Sequence, residues 1–232
     1  LGTGFNTESH FGDADFLTYD GGNRDWLGVD DGTRALPDAV KQLDGNRLPS
    51  DPTVLRELGL AFPRQFHPRP ATTPINRSAD LSVAARPQIL GRDLGIVFGL
   101  TYGDDYKVRD NDIERKYRTS AFDPEVPEDR RVPNVEYTFT RGERSIRIGA
   151  IGNLTYLLTP TNKISLRTTF NRNTDNEARS YFGDNKEDLD GLVSSDRLRF
   201  ISRELYWGQL NGEHQTILGS RFEWRVALAR AT

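Results

Sequence analysis

Ser145-Ile146-Arg147-Ile148-Gly149-Ala150-Ile151-Gly152-Asn153-Leu154-Thr155-Tyr156-Leu157-Leu158 is the stretch that decides the fold. Ile146, Ile148, Ala150, Gly152, Leu154, Tyr156 and Leu158 fall on one face of an extended chain, and Ser145, Arg147, Gly149, Asn153 and Thr155 on the other. Side chains alternate across a strand, so this is a β pattern. It persists for fourteen residues, whereas strands of globular proteins usually run to about 5–6. A strand that crosses a bilayer needs about 9–11 residues, one face towards lipid and the other towards a polar interior.

Working outward, the same alternation recurs. After Thr159-Pro160-Thr161-Asn162, a turn by composition, Ile164, Leu166, Thr168 and Phe170 alternate with Ser165, Arg167, Thr169 and Asn171. Upstream, Leu81, Val83, Ala85 and Ile89 alternate with Asp80, Ser82, Ala84 and Arg86. After a turn at Gly91-Arg92-Asp93 come Leu94, Ile96, Phe98, Leu100 and Tyr102. A third hairpin pairs Arg197–Thr216 with a strand carrying Phe222, Trp224, Val226 and Leu228, and Leu1 to about His10 reads as one further strand. Connections at one end are short. Those at the other read as long: Gly12 to Ile75, Asp104 to about Glu143 and Asn173 to about Ser195. Seven of the twelve prolines lie in the first of these, as suits a segment that stays out of the sheet. Tight turns at one end and extended loops at the other belong to outer-membrane barrels.

The expected fold is therefore all-β: an antiparallel transmembrane β-barrel segment of about seven strands with long extracellular loops. Leu94, Ile96, Phe98, Leu100, Ile146, Ile148, Leu154, Tyr156 and Trp224 would face lipid, with Tyr156 and Trp224 near the interface by the short turns. Arg147, Asn153, Arg167, Asn171, Glu223 and Arg225 would face the lumen. A soluble β-sandwich with the same residues in its core is the alternative that the pattern leaves open.

Composition narrows the function classes. A mean hydropathy of -0.65 and 28% charged residues leave no run of about 18 apolar residues for a membrane helix, but barrel strands are half polar and escape that test. The net charge of -3 is spread along the chain, which argues against nucleic acid as a partner. There is no cysteine, so disulfides, thiolate metal sites and cysteine nucleophiles are excluded. With no methionine and an opening Leu1-Gly2-Thr3, the chain is expected to lack its natural start.

Catalytic signals are missing as well. His10, His67 and His214 are far apart and form no zinc-binding pair. Asp25, Asp30 and Asp31 offer hard oxygen ligands, but not at the spacing of a calcium loop. Glu187-Asp188 reads as a solvated loop rather than an acid–base pair. No nucleophile elbow, phosphate loop or dinucleotide fingerprint occurs. The chain is expected not to be an enzyme and to hold no cofactor and no metal.

One segment resembles a known family. Tyr19-Asp20-Gly21-Gly22-Asn23-Arg24-Asp25-Trp26-Leu27-Gly28-Val29-Asp30-Asp31-Gly32-Thr33-Arg34-Ala35-Leu36-Pro37 is similar to a signature of TonB-dependent receptors of the SusC-like class. Asp112-Ile113-Glu114-Arg115, Asn162-Lys163-Ile164-Ser165 and Gly208-Gln209-Leu210-Asn211-Gly212-Glu213-His214 resemble it in the same order. The resemblance implies a barrel of about 22 strands in the outer membrane of a Gram-negative bacterium, filled by a plug that would precede this chain and couple it to TonB. It further implies import of a nutrient, glycan or peptide, and a surface-exposed SusD-like lipoprotein as partner. Asp25, Trp26, Asp30, Asp31 and Arg34 would then lie in the first extracellular loop, where capture or docking occurs. A scaffold barrel in an envelope complex is the other reading of the same resemblance.

Overall fold

The computed structural model describes residues 1–43, 48–62, 67–117, 127, 132–189, 191–215 and 219–232. Its main body is one antiparallel sheet. The strands are β1 (Gly2–Gly4), β4 (Asn76–Ala85), β5 (Gln88–Ile89), β6 (Arg92–Lys116), β7 (Val135–Thr159), β8 (Asn162–Asn185), β9 (Gly191–Gln215) and β10 (Arg221–Ala231). They lie in the order β1-β4-β6-β7-β8-β9-β10, with β5 paired to the start of β6. Each long strand pairs with its sequence neighbour, as short connections dictate. The sheet is open, with β1 and β10 at its edges.

Between β1 and β4 runs a connection that builds its own elements. It holds α1 (Thr7–His10), β2 (Phe16–Thr18), a single 3-10 turn at Asp25–Leu27, α2 (Asp38–Lys41), α3 (Pro52–Ala61) and β3 (Arg69–Ala71), with β2 paired to β3. Among the described residues no helix is long and apolar enough to cross a membrane. α1 corrects the expectation of an opening strand to His10. Asn6 accepts from the amides of Glu8 and Ser9, and this N-cap turns the chain into a helix after three strand residues.

Strand length is the larger correction. β6, β7 and β9 each run 25 residues and β8 runs 24, or about 80 Å at some 3.3 Å per residue. Two of the three expected long connections are mostly strand: β6 reaches Lys116 before β7 begins at Val135, and β8 reaches Asn185 before β9 begins at Gly191. The first connection stays long, and a shorter one remains between Lys116 and Val135. Beyond Asp104 the apolar alternation stops, but pairing continues, interrupted by a bulge between Arg109 and Asp112. The first turn is also tighter than expected. It centres on Leu90 and Gly91, both at positive φ (53° and 70°), the geometry of a two-residue hairpin of the primed kind.

β2 packs on β7 and β8, and Phe16 joins Tyr106 and Val108 in a buried apolar cluster, with Ala14 against it. Gly142 makes this approach possible, because a Cβ there would overlap the Leu17 backbone. Gly142→Ala is expected to displace the ribbon at a cost of about 1–3 kcal/mol. Limited proteolysis would detect it as faster cleavage between Phe16 and Ile75, and unchanged cleavage would show the close approach to be unimportant.

Candidate functional site: a sheet with two unlike faces

Register assigns each residue to a face. Leu94 stands opposite Tyr156, Ile96 opposite Leu154, Phe98 opposite Gly152, and Leu100 opposite Ala150. On β8 and β9 the rows continue through Ile164, Leu166, Phe170, Leu210 and Tyr206, and on β10 through Trp224, Val226 and Leu228. Leu81 and Val83 extend them onto β4. The result is a continuous apolar band across six strands. From Leu94 to Tyr102 it is nine residues tall, within the about 9–11 that span a hydrocarbon layer.

Most of this band is bare: Leu81 is 55% exposed, Phe98 41%, Leu166 40% and Val226 59%. An uncovered patch this large is unusual for a soluble monomer. Aromatic side chains mark both borders, Tyr156 and Trp224 by the short turns and Tyr102 and Tyr206 at the other end. Trp224 donates its Nε1 hydrogen to Nε2 of His214 at 3.0 Å, and Nδ1 of His214 lies 3.0 Å from the Asn162 amide oxygen.

Eight of the nine residues expected to face lipid sit on this band. Ile146 shares the face but lies above the band and is fully buried, at the level where the first connection packs on β7. Charge begins there too. Arg172 pairs with Glu204 at 2.7 Å, and Asp104 accepts from Nε and Nη2 of Arg144 at 2.7 and 3.0 Å.

The opposite face carries Arg147, Asn153, Arg167, Asn171, Glu223 and Arg225 together, with Asn153 directly across from Arg167. Arg147 pairs with Asp105, and Glu223 with Arg221 and Arg225 at 2.6 and 3.3 Å. Higher on this face is a cluster that the sequence reading did not single out. Glu177 is fully buried and lies 2.6 Å from Arg197, 3.1 Å from Arg199, 3.4 Å from Arg141 and 3.8 Å from Arg179. The guanidinium of Arg179 also lies 4.4 Å from the Phe139 ring centre, a favourable cation–π distance. Its signal was present as charges two residues apart, Glu177 with Arg179 and Arg197 with Arg199, but the first pair lay in a stretch read as loop and the second at the start of an expected strand.

The signature segment of the first connection folds over the top of the apolar-band face. Arg34 grips Asp25 through both carboxylate oxygens, at 2.8 and 2.5 Å, and donates Nε to the Tyr19 hydroxyl at 3.1 Å. Its guanidinium lies 4.1 Å from the Phe200 ring centre on β9. Burial disfavours the Arg34 cation, but these hydrogen bonds outweigh it and its pKa rises above the ordinary value. Burial likewise raises Tyr19, against the lowering pull of Arg34. The Leu27 and Gly28 carbonyls accept from Arg172 and Thr174 of β8 at 3.3 and 2.8 Å. Asp25 and Arg34 thus hold the segment on the sheet. Of the five loop residues, Trp26 is the large apolar one left to solvent, 54% exposed.

Asp31 orders the same segment from outside. Its carboxylate accepts from the Thr33 hydroxyl at 2.5 Å, the Thr33 amide at 3.2 Å and the Asn23 amide at 2.7 Å. These bonds, the Thr33 hydroxyl first, hold its pKa below the usual carboxylate range. A depressed folded pKa means the contribution is present above the unfolded value of about 4 and is lost as pH falls through the folded one. The protection factors of the Asn23 and Thr33 amides, corrected for the intrinsic exchange rate at each pH, should therefore fall in that acid window. Protection that is flat from neutral pH to about pH 2 would rule this out.

Comparison of the chain with family models, with curated proteins and with solved structures gives no match.

Proposed function

We propose that the sheet is part of the wall of an outer-membrane transport barrel, with the apolar band in lipid, the charged face lining the lumen and the first connection outside. The observation that carries this reading is the band itself: six strands wide, nine residues tall, bordered by aromatic side chains and, among the described residues, mostly bare. A β-sandwich would stack a second sheet about 10 Å above such a face. Among the described residues the only other sheet is the β2–β3 ribbon, which packs above the band. The two free edges at β1 and β10 would be closed by further strands, since lipid tolerates no open edge.

Seen this way, the chain does gated transport rather than bond chemistry. The wall supplies a polar passage, a plug coupled to TonB supplies the gate, and the exposed part of the first connection, Trp26 included, meets the nutrient or a SusD-like lipoprotein. This is the function implied by the likeness of Tyr19–Pro37 to the SusC-like class. Import is favoured over a scaffold role by the density of paired charge on the inner face, which a lumen needs and a scaffold does not.

Because the chain contains no cysteine, single cysteines can be introduced and labelled cleanly. A fluorophore at Leu166→Cys in the full protein, reconstituted in bilayers, should be quenched by brominated acyl chains. One at the adjacent Arg167→Cys should respond instead to aqueous iodide. Iodide quenching of both alike would defeat the membrane reading.

A further inference from the structure

The charged face holds an arrangement that its own carboxylates do not balance. Arg109 on β6 stands opposite Arg141 on β7, Arg141 opposite Arg179 on β8, and Arg179 opposite Arg197 on β9. Like charges directly across a strand pair are destabilising, and here three successive pairs repeat the penalty in one line. With strands about 4.8 Å apart, the row is about 14 Å long. In the next row down, Lys107 and Arg199 flank Glu143 and Glu177. Glu177 and Glu143 take part of the charge of the upper row, Asp112 pairs with Arg109 and Glu114 with Arg179. Six cations thus face four carboxylates.

Two further observations bear on this row. Nε of Arg179 and Nε of Arg199 are buried without a hydrogen-bond partner. The Arg197 and Arg199 side chains are 44% and 40% exposed towards the polar side, while the glutamate beneath them is wholly covered. Glu177 therefore acts as an internal anchor that preorganises guanidinium groups, with Arg197 and Arg199 open to the polar side and Arg141 and Arg179, 15% and 11% exposed, set beneath them. Arginine forks suit planar and tetrahedral oxyanions, and fixing them in advance lowers the ordering cost of binding.

We propose that the Arg109-Arg141-Arg179-Arg197 row, with Arg199, is a recognition strip for a short anionic oligomer bearing carboxylate or sulfate groups at intervals. The proposal rests on the reading of this face as the lumen, and it names the charge class of the cargo. The strip lies above the level of the apolar band, at the same end of the strands as the first connection but on the opposite face, so a ligand would meet it on entry.

The test is titration calorimetry on the full protein in detergent. The probes are tetraglutamate for carboxylates, sucrose octasulfate for sulfates and maltotetraose as a neutral control. At least one anionic probe should bind, at least tenfold more weakly when salt rises from 50 to 200 mM, values set by the steepness of polyanion salt dependence (about 10³-fold for six contacts). The arm that binds distinguishes carboxylate from sulfate. Arg197→Gln with Arg199→Gln should weaken it at least tenfold, on the order of two lost charged contacts. Arg109→Gln, remote from the Glu177 anchor, should weaken it without disturbing that anchor, while Arg225→Gln near the short turns should leave it unchanged. Equal affinity for the neutral sugar, no binding of either anion, or equal affinity in all variants would overturn the proposal. Because binding is read in detergent, its failure is distinguishable from failure of the lipid-quenching test.

Discussion

Phe98→Arg in the full protein is expected to cost about 2–4 kcal/mol of folding stability in bilayers, the range for arginine on the lipid face near the midplane. Val97→Arg should cost less than about 1 kcal/mol, as for surface substitutions generally. The comparison is sharp because the two neighbours are equally bare in this sheet, 43% for Val97 and 41% for Phe98. Whatever separates them must come from what lies against each face. Phe98 is in the central row of the apolar band, beside Gly152 and Val83, while Val97 shares its face with Asn153 and Ala84. Depth supplies a second check. Tyr156→Arg, at the aromatic border, should cost only about 0–1 kcal/mol, whereas the core of a soluble sandwich has no reason to grade the penalty along a strand. Urea unfolding in lipid vesicles would give all three values, and similar costs at positions 97, 98 and 156 would refute the membrane assignment.

Glu177→Gln carries the second large effect, about 2–3 kcal/mol, smaller than the about 3–5 kcal/mol of a wholly buried pair because Arg197 and Arg199 remain partly solvated. Glutamine keeps the shape but turns one of the two acceptor oxygens into a donor facing arginine N–H groups, so the loss combines the charge with the hydrogen bonds to that oxygen. The variant leaves the neighbouring guanidinium groups, three of them in one row, without their shared anion. Added sulfate should restore part of the stability of Glu177→Gln and little of that of the parent protein, since the ion can take up the vacated charge. Thermal unfolding in detergent with and without sulfate measures this. A variant as stable as the parent would mean that Glu143 and Glu114 suffice for the cluster.

The two predictions fall on different parts of the same strands, and the sequence informed them unequally. Below Asp104 each strand carries one apolar and one polar face, so residues such as Ile96 and Leu154 reveal both the element and its direction. Above it, Asp104-Asp105-Tyr106-Lys107-Val108-Arg109-Asp110 has charge on both faces and low intrinsic β preference, which reads as loop. What keeps it extended is not local. One face is covered by Phe16, packed on Tyr106 and Val108, and the other is tied by the ion pair of Arg147 with Asp105. Such partners lie tens of residues apart and leave no periodic mark.

The first connection divides in the same way. Its proline content separates it from the sheet at once, and the Tyr19–Pro37 signature marks it as a candidate site. That Asp25 and Arg34 are spent on each other, while Trp26 stays outside, depended on Phe200 of β9 and Tyr102 of β6 lying beneath them.

The sequence by itself determined the β class, the hairpin order and which residues share a face across the apolar band, because a period of two is a local property of the backbone. Only the tertiary structure decided how far the strands extend past the band, where the first connection docks, and that Arg109, Arg141, Arg179 and Arg197 form one row. Strand register brings those four together, and register is set by pairing between segments rather than by anything within one of them.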